Sequence, residues 1–382
     1  MTSVFDDLID QELVIATLKD AVVASRDSSN NSQEMTHSWL FTGPPGSGRS
    51  NAAVAFAAAL LCENGGCNVC TNCLTVKEGS HADIELIRKE GLSIKVDEVR
   101  ELITRTSWSP SVGNYRVVVI EDADRLTESA ANALLKVIEE PGAKTVWLLC
   151  APTLADVIPT IRSRCRHLNL RTPSVAAVTK LLIERDAIEP KMAEFAASAA
   201  QGHIGRAKYL AQSEKAREIR LKILDIIGGI NDVNSAINAS ANLIELAKNQ
   251  NLQEFETKDE EDLLKLKEVF GSSGKTLLSG GAKAIKNLET EQKNRNTANI
   301  RTNVNYFLLD IITEYFDKTK LQLLLNRELL HEKSLGFHIL ELVSKTRANL
   351  QYNNSLQLAI ESLFCEILIH YRICESTHII KQ

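Results

Sequence analysis

The sequence predicts a doubly wound α/β domain followed by an all-helical C-terminal half. Three observations predict it. Short, nearly uninterrupted apolar runs alternate with helix-length segments up to about residue 170. A glycine-rich loop joins one of those runs to a helical stretch. No convincing strand pattern appears after about residue 213. Runs of this kind are what a parallel sheet buried on both faces requires, and helix-length connections make its crossovers right-handed.

The predicted strands are 37–43 (HSWLFTG), 82–88 (ADIELIR), 116–122 (RVVVIED), 145–152 (TVWLLCAP) and 165–170 (CRHLNL). With the helices between them they make a core over 1–172. Residues 173–212 are read as a small helical lid, opened by Thr172-Pro173-Ser174 and broken at Glu189-Pro190. From 213 to 382 the pattern is amphipathic helix, as in NYFLLDIITEYFDKT and LQLAIESLFCEILIHYRIC, interrupted by a Gly/Ser-rich loop at 271–281.

Composition narrows the function. Of 382 residues, 44% are hydrophobic and 24% charged, which excludes a disordered or collagen-like chain. Lys and Arg number 44 against 49 Asp and Glu, so no global basic field draws the chain onto nucleic acid, and DNA contact has to be local or shared with partners. The opening residues lack the basic start and apolar core of a signal peptide. No run reaches the ~18 apolar residues of a membrane span, so a cytoplasmic protein without membrane contact is expected.

In that compartment eight cysteines do not make a disulfide framework. Cys62, Cys67, Cys70 and Cys73 fall in CENGGCNVCTNC, a C-x4-C-x2-C-x2-C spacing among small turn-forming residues. Four thiolates in so compact a loop match a tetrahedral zinc site, and zinc closed by four sulfurs is structural because no position is left for water. The loop carries few basic or aromatic residues, which argues against a nucleic-acid finger. Cys150, Cys165, Cys365 and Cys374 are scattered through apolar sequence and read as small buried hydrophobes.

GPPGSGRS, residues 43–50, follows a strand and opens the Ala-rich helix NAAVAFAAALL. Strand, glycine loop and helix are the order of a P-loop, whose backbone N–H groups cradle phosphates. Gly43, Gly46, Gly48 and Ser50 match; Arg49 stands where that motif has lysine, and a planar guanidinium does not replace a compact ammonium. The alternative is a glycine turn that only packs a strand on a helix.

The strand RVVVIED ends in Glu121 and Asp122, where a P-loop ATPase places its magnesium-binding and water-activating carboxylates in the order Asp then Glu. With the order inverted, the aspartate at the base position is a methylene short, and hydrolysis is expected to be slow or absent. The alternative is that both carboxylates cap the following helix. Downstream, IPTIRSRCR places Ser163-Arg164-Cys165 before the last strand, and an arginine beside a degraded site can serve a neighbour's nucleotide instead.

Taken in order, HSWLFTGPPGSGRS, the four-cysteine loop, VVVIEDADRLTESAANALLKVIEEP and PTIRSRCR resemble the delta-prime family of bacterial DNA polymerase III clamp-loader subunits. The resemblance is strong over 1–212 and loose beyond. It implies an AAA+ fold in three parts: the α/β core with its zinc loop at 62–73, the lid, and a C-terminal helical collar at 213–382 that joins a pentameric ring. It implies a stator in the replication machinery, a subunit of a DNA-directed DNA polymerase holoenzyme rather than a catalyst alone. Its partners would be gamma/tau and delta subunits, with the sliding clamp and primer–template DNA reached through the complex at replication forks.

Arg164 matches the arginine such subunits present to the ATP site of an adjacent gamma/tau subunit. Arg206, in HIGRA, falls at the lid's nucleotide-sensing arginine, and Thr153 near the first sensor. Many delta-prime chains have lost the P-loop; here it is nearly intact, leaving weak ATP or ADP binding open. Gamma/tau chains keep the lysine and the Asp-Glu order, so an active gamma/tau-like ATPase is the second reading, and a zinc-dependent DNA-binding regulator a third that the charge balance disfavours. The stretch 250–305, acidic at 258–262, is read as a solvated elaboration of the collar.

Overall fold

The computed structural model describes residues 3–26, 35–87, 93–106, 109–142, 144–250, 263–264, 281–324, 330–350 and 355–379. The acidic segment 258–262, nearly all of the Gly/Ser-rich loop at 271–281 and the side chain of Cys374 lie outside the described residues. Contacts divide the described residues into two compact units that part between Lys208 and Tyr209.

The first unit is built on β1 (Ser38–Thr42), β2 (Ile84–Ile87), β3 (Arg116–Ile120), β4 (Thr145–Ala151) and β5 (Arg166–Asn169). All pairings are parallel, and the order across the sheet is β2-β3-β4-β1-β5. β1 and β4 are buried at every position. Trp39, Phe41, Val117, Val119, Leu148 and Cys150 face one core and Leu40, Val118, Ile120, Trp147, Leu149 and Ala151 the other, the period-2 alternation of a sheet covered on both sides.

The first face is covered by α1 (Glu12–Ala24), α2 (Arg49–Leu61) and α3 (Thr71–Glu78). α2 buries seven consecutive residues, Ala55 to Leu61, four of them alanine, whose small side chains let the helix lie close against the strands. The second face is covered by α4 (Val96–Thr106), α5 (Glu128–Glu139) and the single-turn α6 (Pro159–Arg162). This is the doubly wound parallel α/β architecture expected from the sequence.

Three helices follow: α7 (Val175–Glu184), α8 (Pro190–Ala199) and α9 (Ile204–Gln212). Ser174 caps α7 by accepting from the Ala177 amide, and Glu189 caps α8 by accepting from that of Met192, with Pro190 in the first turn. The Glu189-Pro190 break is therefore a helix start.

The second unit contains α10 (Glu214–Gly228), α11 (Val233–Asn249), α12 (Gly281–Leu324), α13 (Leu330–Asn349) and α14 (Leu356–Ile379), with no strand among the described residues. Its core gathers Ile223, Leu243, Phe307, Ile339, Phe364 and their neighbours. Within it Arg220 meets Asp310 at 2.9 Å, both buried, and a charge so placed needs its partner to avoid a large desolvation cost.

Candidate functional site

The glycine loop sits at the C-terminal end of β1. The Gly43 amide donates to the Pro152 carbonyl at 3.1 Å, and a Cβ at Gly43 would lie 2.5 Å from Ser47 Oγ and 2.6 Å from the Leu170 carbonyl. Gly46 (φ 89°) and Gly48 (φ 86°) are left-handed, a conformation in which a side chain costs ~1–2 kcal/mol. Gly48 is the N-cap of α2, so the unpaired N–H groups of that helix's first turn open onto the loop. Arg49 folds back over it: Nη1 donates to the Gly43 carbonyl at 2.5 Å.

The strand register brings Glu121 and Asp122 to the same end of the sheet: Ile120, just before them, pairs with Leu149, and the next residue of β4, Cys150, pairs with Phe41 just ahead of the loop. Burial pushes the Cys150 thiol up, and the charges of Arg49, Glu121 and Asp122 all lie close enough to act on it. Asp122 stands at the N-cap of a 3-10 turn, Ala123–Arg125, but makes no side-chain cap; its Oδ2 lies 3.6 Å from Arg125 Nε. Helix α5 is capped by Thr127, which accepts from the Ala130 amide at 3.3 Å. The alternative of Asp122 capping the next element is thereby corrected: a hydroxyl better placed for the Ala130 amide does that work.

Thr153 follows Pro152 and so lies beside the loop, but its polar groups are committed. Its amide and its Oγ1 both donate to Asp156 Oδ2, at 2.9 and 2.8 Å, in a capping box. From the turn between α8 and α9, the His203 ring packs on the loop: a Cβ at Gly46 would be 2.5 Å from its Cδ2 and Cγ. His203 Nδ1 accepts from the backbone amide of buried Arg206 at 3.2 Å, which ties the first turn of α9 to the ring that covers the loop.

Arg164 is elsewhere. Strand pairing sets Arg166 opposite Trp39, at the N-terminal end of β1, whereas the glycine loop leaves its C-terminal end. Four residues of strand, ~13 Å at ~3.3 Å each, separate Trp39 from Gly43, and Arg164 lies two residues further out. Arg164 thus lies beyond the N-terminal end of β5, at the opposite end of the strands from its own loop. Its side chain is 41% exposed and its Nε lies 2.7 Å from Glu139 Oε1. The next residue, Cys165, packs against the second core, and burial pushes its thiol up to about 12.

The four cysteines converge at the end of α2. Their sulfurs all lie within 4.8 Å of one another, with Cys62–Cys67 and Cys62–Cys70 separations of 3.7 Å. A tetrahedron with ~2.3 Å zinc–sulfur bonds has edges of about 3.8 Å, so these residues fit a metal ion of that kind. Positive φ at Gly65, Gly66 and Asn68 turns the loop back on itself. Burial pushes the Cys62 thiol up, but the Cys67, Gly66 and Asn64 amides outweigh it and bring it down to about 6. Asn72 Nδ2 donates to the Leu61 carbonyl and Arg26 Nη2 to that of Cys62, and the Val4 amide donates to Gly66, tying the loop to the body of the unit.

Sequence reasoning missed the Glu139 partner of Arg164, the His203 contact and the capture of Thr153. Thr-x-x-Asp is a capping-box spacing and was legible. A glutamate in the last turn of α5, at the negative end of the helix dipole, was also a signal that a cation lay near. Nothing in the sequence points to His203.

Residues 19–174 match the family described as "DNA polymerase III, delta subunit". The delta′ subunit of DNA polymerase III from Bacillus subtilis is 31% identical over 202 residues, 52% of this chain and 61% of that one. The delta′ subunit of Pseudomonas aeruginosa is 36% identical over 160 residues, 40% of this chain and 49% of that one. The Bacillus subtilis tau subunit is 33% identical over 208 residues, 52% of this chain and 35% of that one. The chain therefore spans less than two thirds of the length of these curated relatives. No helix among its described residues is long and apolar enough to cross a membrane.

Proposed function

We propose that this chain is a delta-prime-type subunit of the DNA polymerase III clamp loader, a reading supported by the family match over 19–174 and by the similarity to two delta′ subunits, and that it works as a non-hydrolysing member of the loader ring and completes a neighbour's ATP site with Arg164. The ring would place a sliding clamp on primer–template DNA. One observation carries the reading: Arg164 is exposed at the end of the strands opposite its own glycine loop, so any phosphate it reaches belongs to another chain. An arginine in that role stabilises charge developing on the transferring phosphoryl group.

The chain's own loop supports the same division of labour. Arg49 is turned onto the Gly43 carbonyl, Thr153 is spent on Asp156, and Asp122 is the short carboxylate at the base position. Gly46, Gly48 and the α2 N-terminus leave room for weak ATP or ADP binding without productive hydrolysis. The four cysteines would hold a structural zinc, and the helical second unit would serve as the collar that meets gamma/tau-type and delta-type partners.

A second reading, an active gamma/tau-like ATPase, is favoured by the 33% identity to a tau subunit and by the nearly intact glycine loop. Reconstitution separates the two. With gamma/tau-type and delta-type subunits present, adding this chain should switch on DNA- and clamp-dependent ATP turnover while the chain alone turns over almost none. Equal clamp loading without the chain would refute the first reading, and vigorous hydrolysis by the chain alone would support the second.

A further inference from the structure

The Arg164 guanidinium is held on two of its three nitrogens. Nε donates to Glu139 Oε1 at 2.7 Å. Nη1 donates to the Thr160 carbonyl at 2.9 Å and to Ser163 Oγ at 3.2 Å. Nη2 has no partner among the described residues. The backbone beneath is fixed as well: the Arg164 amide donates to the Ile161 carbonyl at 3.0 Å, and Ile161 is buried in the second core.

Each holding group has a reason to be there. Thr160 lies in the single turn of α6, whose last carbonyls have no intrahelical partner, so one of them accepts from Arg164. Glu139 is the last residue of α5, before Glu140 and Pro141, where the helix dipole disfavours a carboxylate unless a cation answers it. α5 is anchored in turn by Ala130, Ala131, Leu134 and Ile138, all buried in the same core. The two helices thus present the planar fork in one orientation, with the Nη2 edge outward.

We infer that Glu139 is the positioning residue of Arg164: it fixes the guanidinium so that the Nη2 edge meets an incoming phosphate oxygen of the neighbouring chain. This rests on the reading of Arg164 given above. The pair is too exposed to add much to folding stability. What it supplies is orientation, because an untethered arginine would have to lose its rotamer freedom in the transition state.

The test is a double-mutant cycle in the reconstituted loader: wild type, Glu139→Ala, Arg164→Ala and the double variant, with Glu139→Gln as a milder change that keeps an acceptor oxygen. DNA- and clamp-stimulated ATP turnover is measured as kcat and KM, alongside ring assembly. Glu139→Ala should lower kcat by up to about tenfold, the scale of a modest misplacement of a catalytic group. KM and assembly should stay near wild type, and Glu139→Gln should fall between. In the Arg164→Ala background, removing Glu139 should do nothing further. A full-strength effect of Glu139→Ala in that background, or wild-type kcat in Glu139→Ala while Arg164→Ala is impaired, overturns the positioning role alone. Wild-type kcat in Arg164→Ala overturns both it and the role of Arg164 in trans.

Discussion

Arg49 donates from Nη1 to the carbonyl of Gly43, 2.5 Å away across the loop that both residues belong to. A lysine here would extend a compact ammonium toward bound phosphates. The guanidinium instead satisfies a carbonyl of the loop itself, so the substitution and the conformation act in the same direction.

Isolated chain should therefore hydrolyse ATP far below the ~1 s⁻¹ lower end of typical enzymes. Arg49→Lys should tighten ATP binding by roughly tenfold, the worth of one charge-assisted hydrogen bond. It should leave hydrolysis slow, because Asp122 is unchanged. Calorimetric titration and steady-state phosphate release check the two halves. Wild-type turnover near 1 s⁻¹ that Asp122→Asn abolishes would instead favour the active ATPase.

Purified chain should carry one zinc, held by Cys62, Cys67, Cys70 and Cys73. Elemental analysis after purification without chelators measures it. Cys67→Ser with Cys70→Ser should abolish the metal and loosen the loop, read as faster exchange of the Cys67 and Cys73 amides, which face sulfur at 3.4 and 3.5 Å. Metal-free wild type, or full metal content in the double variant, would reject the site.

Fold and site were unequally legible. All five strands could be read because a sheet covered on both faces needs continuous apolar runs, and the loop and cysteine motifs could be read because their spacing is local. Partnerships across the chain could not. The Arg164–Glu139 pair joins residues 25 positions apart, and the His203–Gly46 contact joins residues 157 apart. Each depends on how helices dock, which periodicity does not encode. Asp83 gave no signal either: a lone aspartate at the start of the predicted strand 82–88 does not announce the backbone donors nearly 30 residues on that hold it.

Asp83 is in fact fully buried and accepts from the amides of Ser111 at 2.5 Å and of Val112 and Gly113 at 2.7 Å each. Burial pushes its carboxyl up, but those three donors and His81 outweigh it, so it ionises below the usual carboxylate range. A value lowered in the folded state contributes stability above the unfolded value of about 3.9 and loses it as the pH falls through the lower folded value. Asp83→Asn should cost about 1–3 kcal/mol at pH 7, and the difference from wild type should shrink below about pH 4. Urea unfolding followed by tryptophan fluorescence reports the first unit, whose two cores bury Trp39 and Trp147. A deficit of the same size at pH 3 and pH 7 would mean that the charge is not what matters.

The role of Arg164 in trans is reached most directly by one measurement: DNA- and clamp-stimulated ATP turnover of the reconstituted complex carrying Arg164→Ala, with Arg164→Lys beside it. At a single site such an arginine is worth on the order of 10³ to 10⁵ in rate. Turnover should fall by at least the share of the site it completes, with assembly and zinc content intact, and lysine should restore little because it lacks the planar fork. Undiminished turnover and clamp loading with Arg164→Ala in an intact ring would show that Arg164 serves no neighbour.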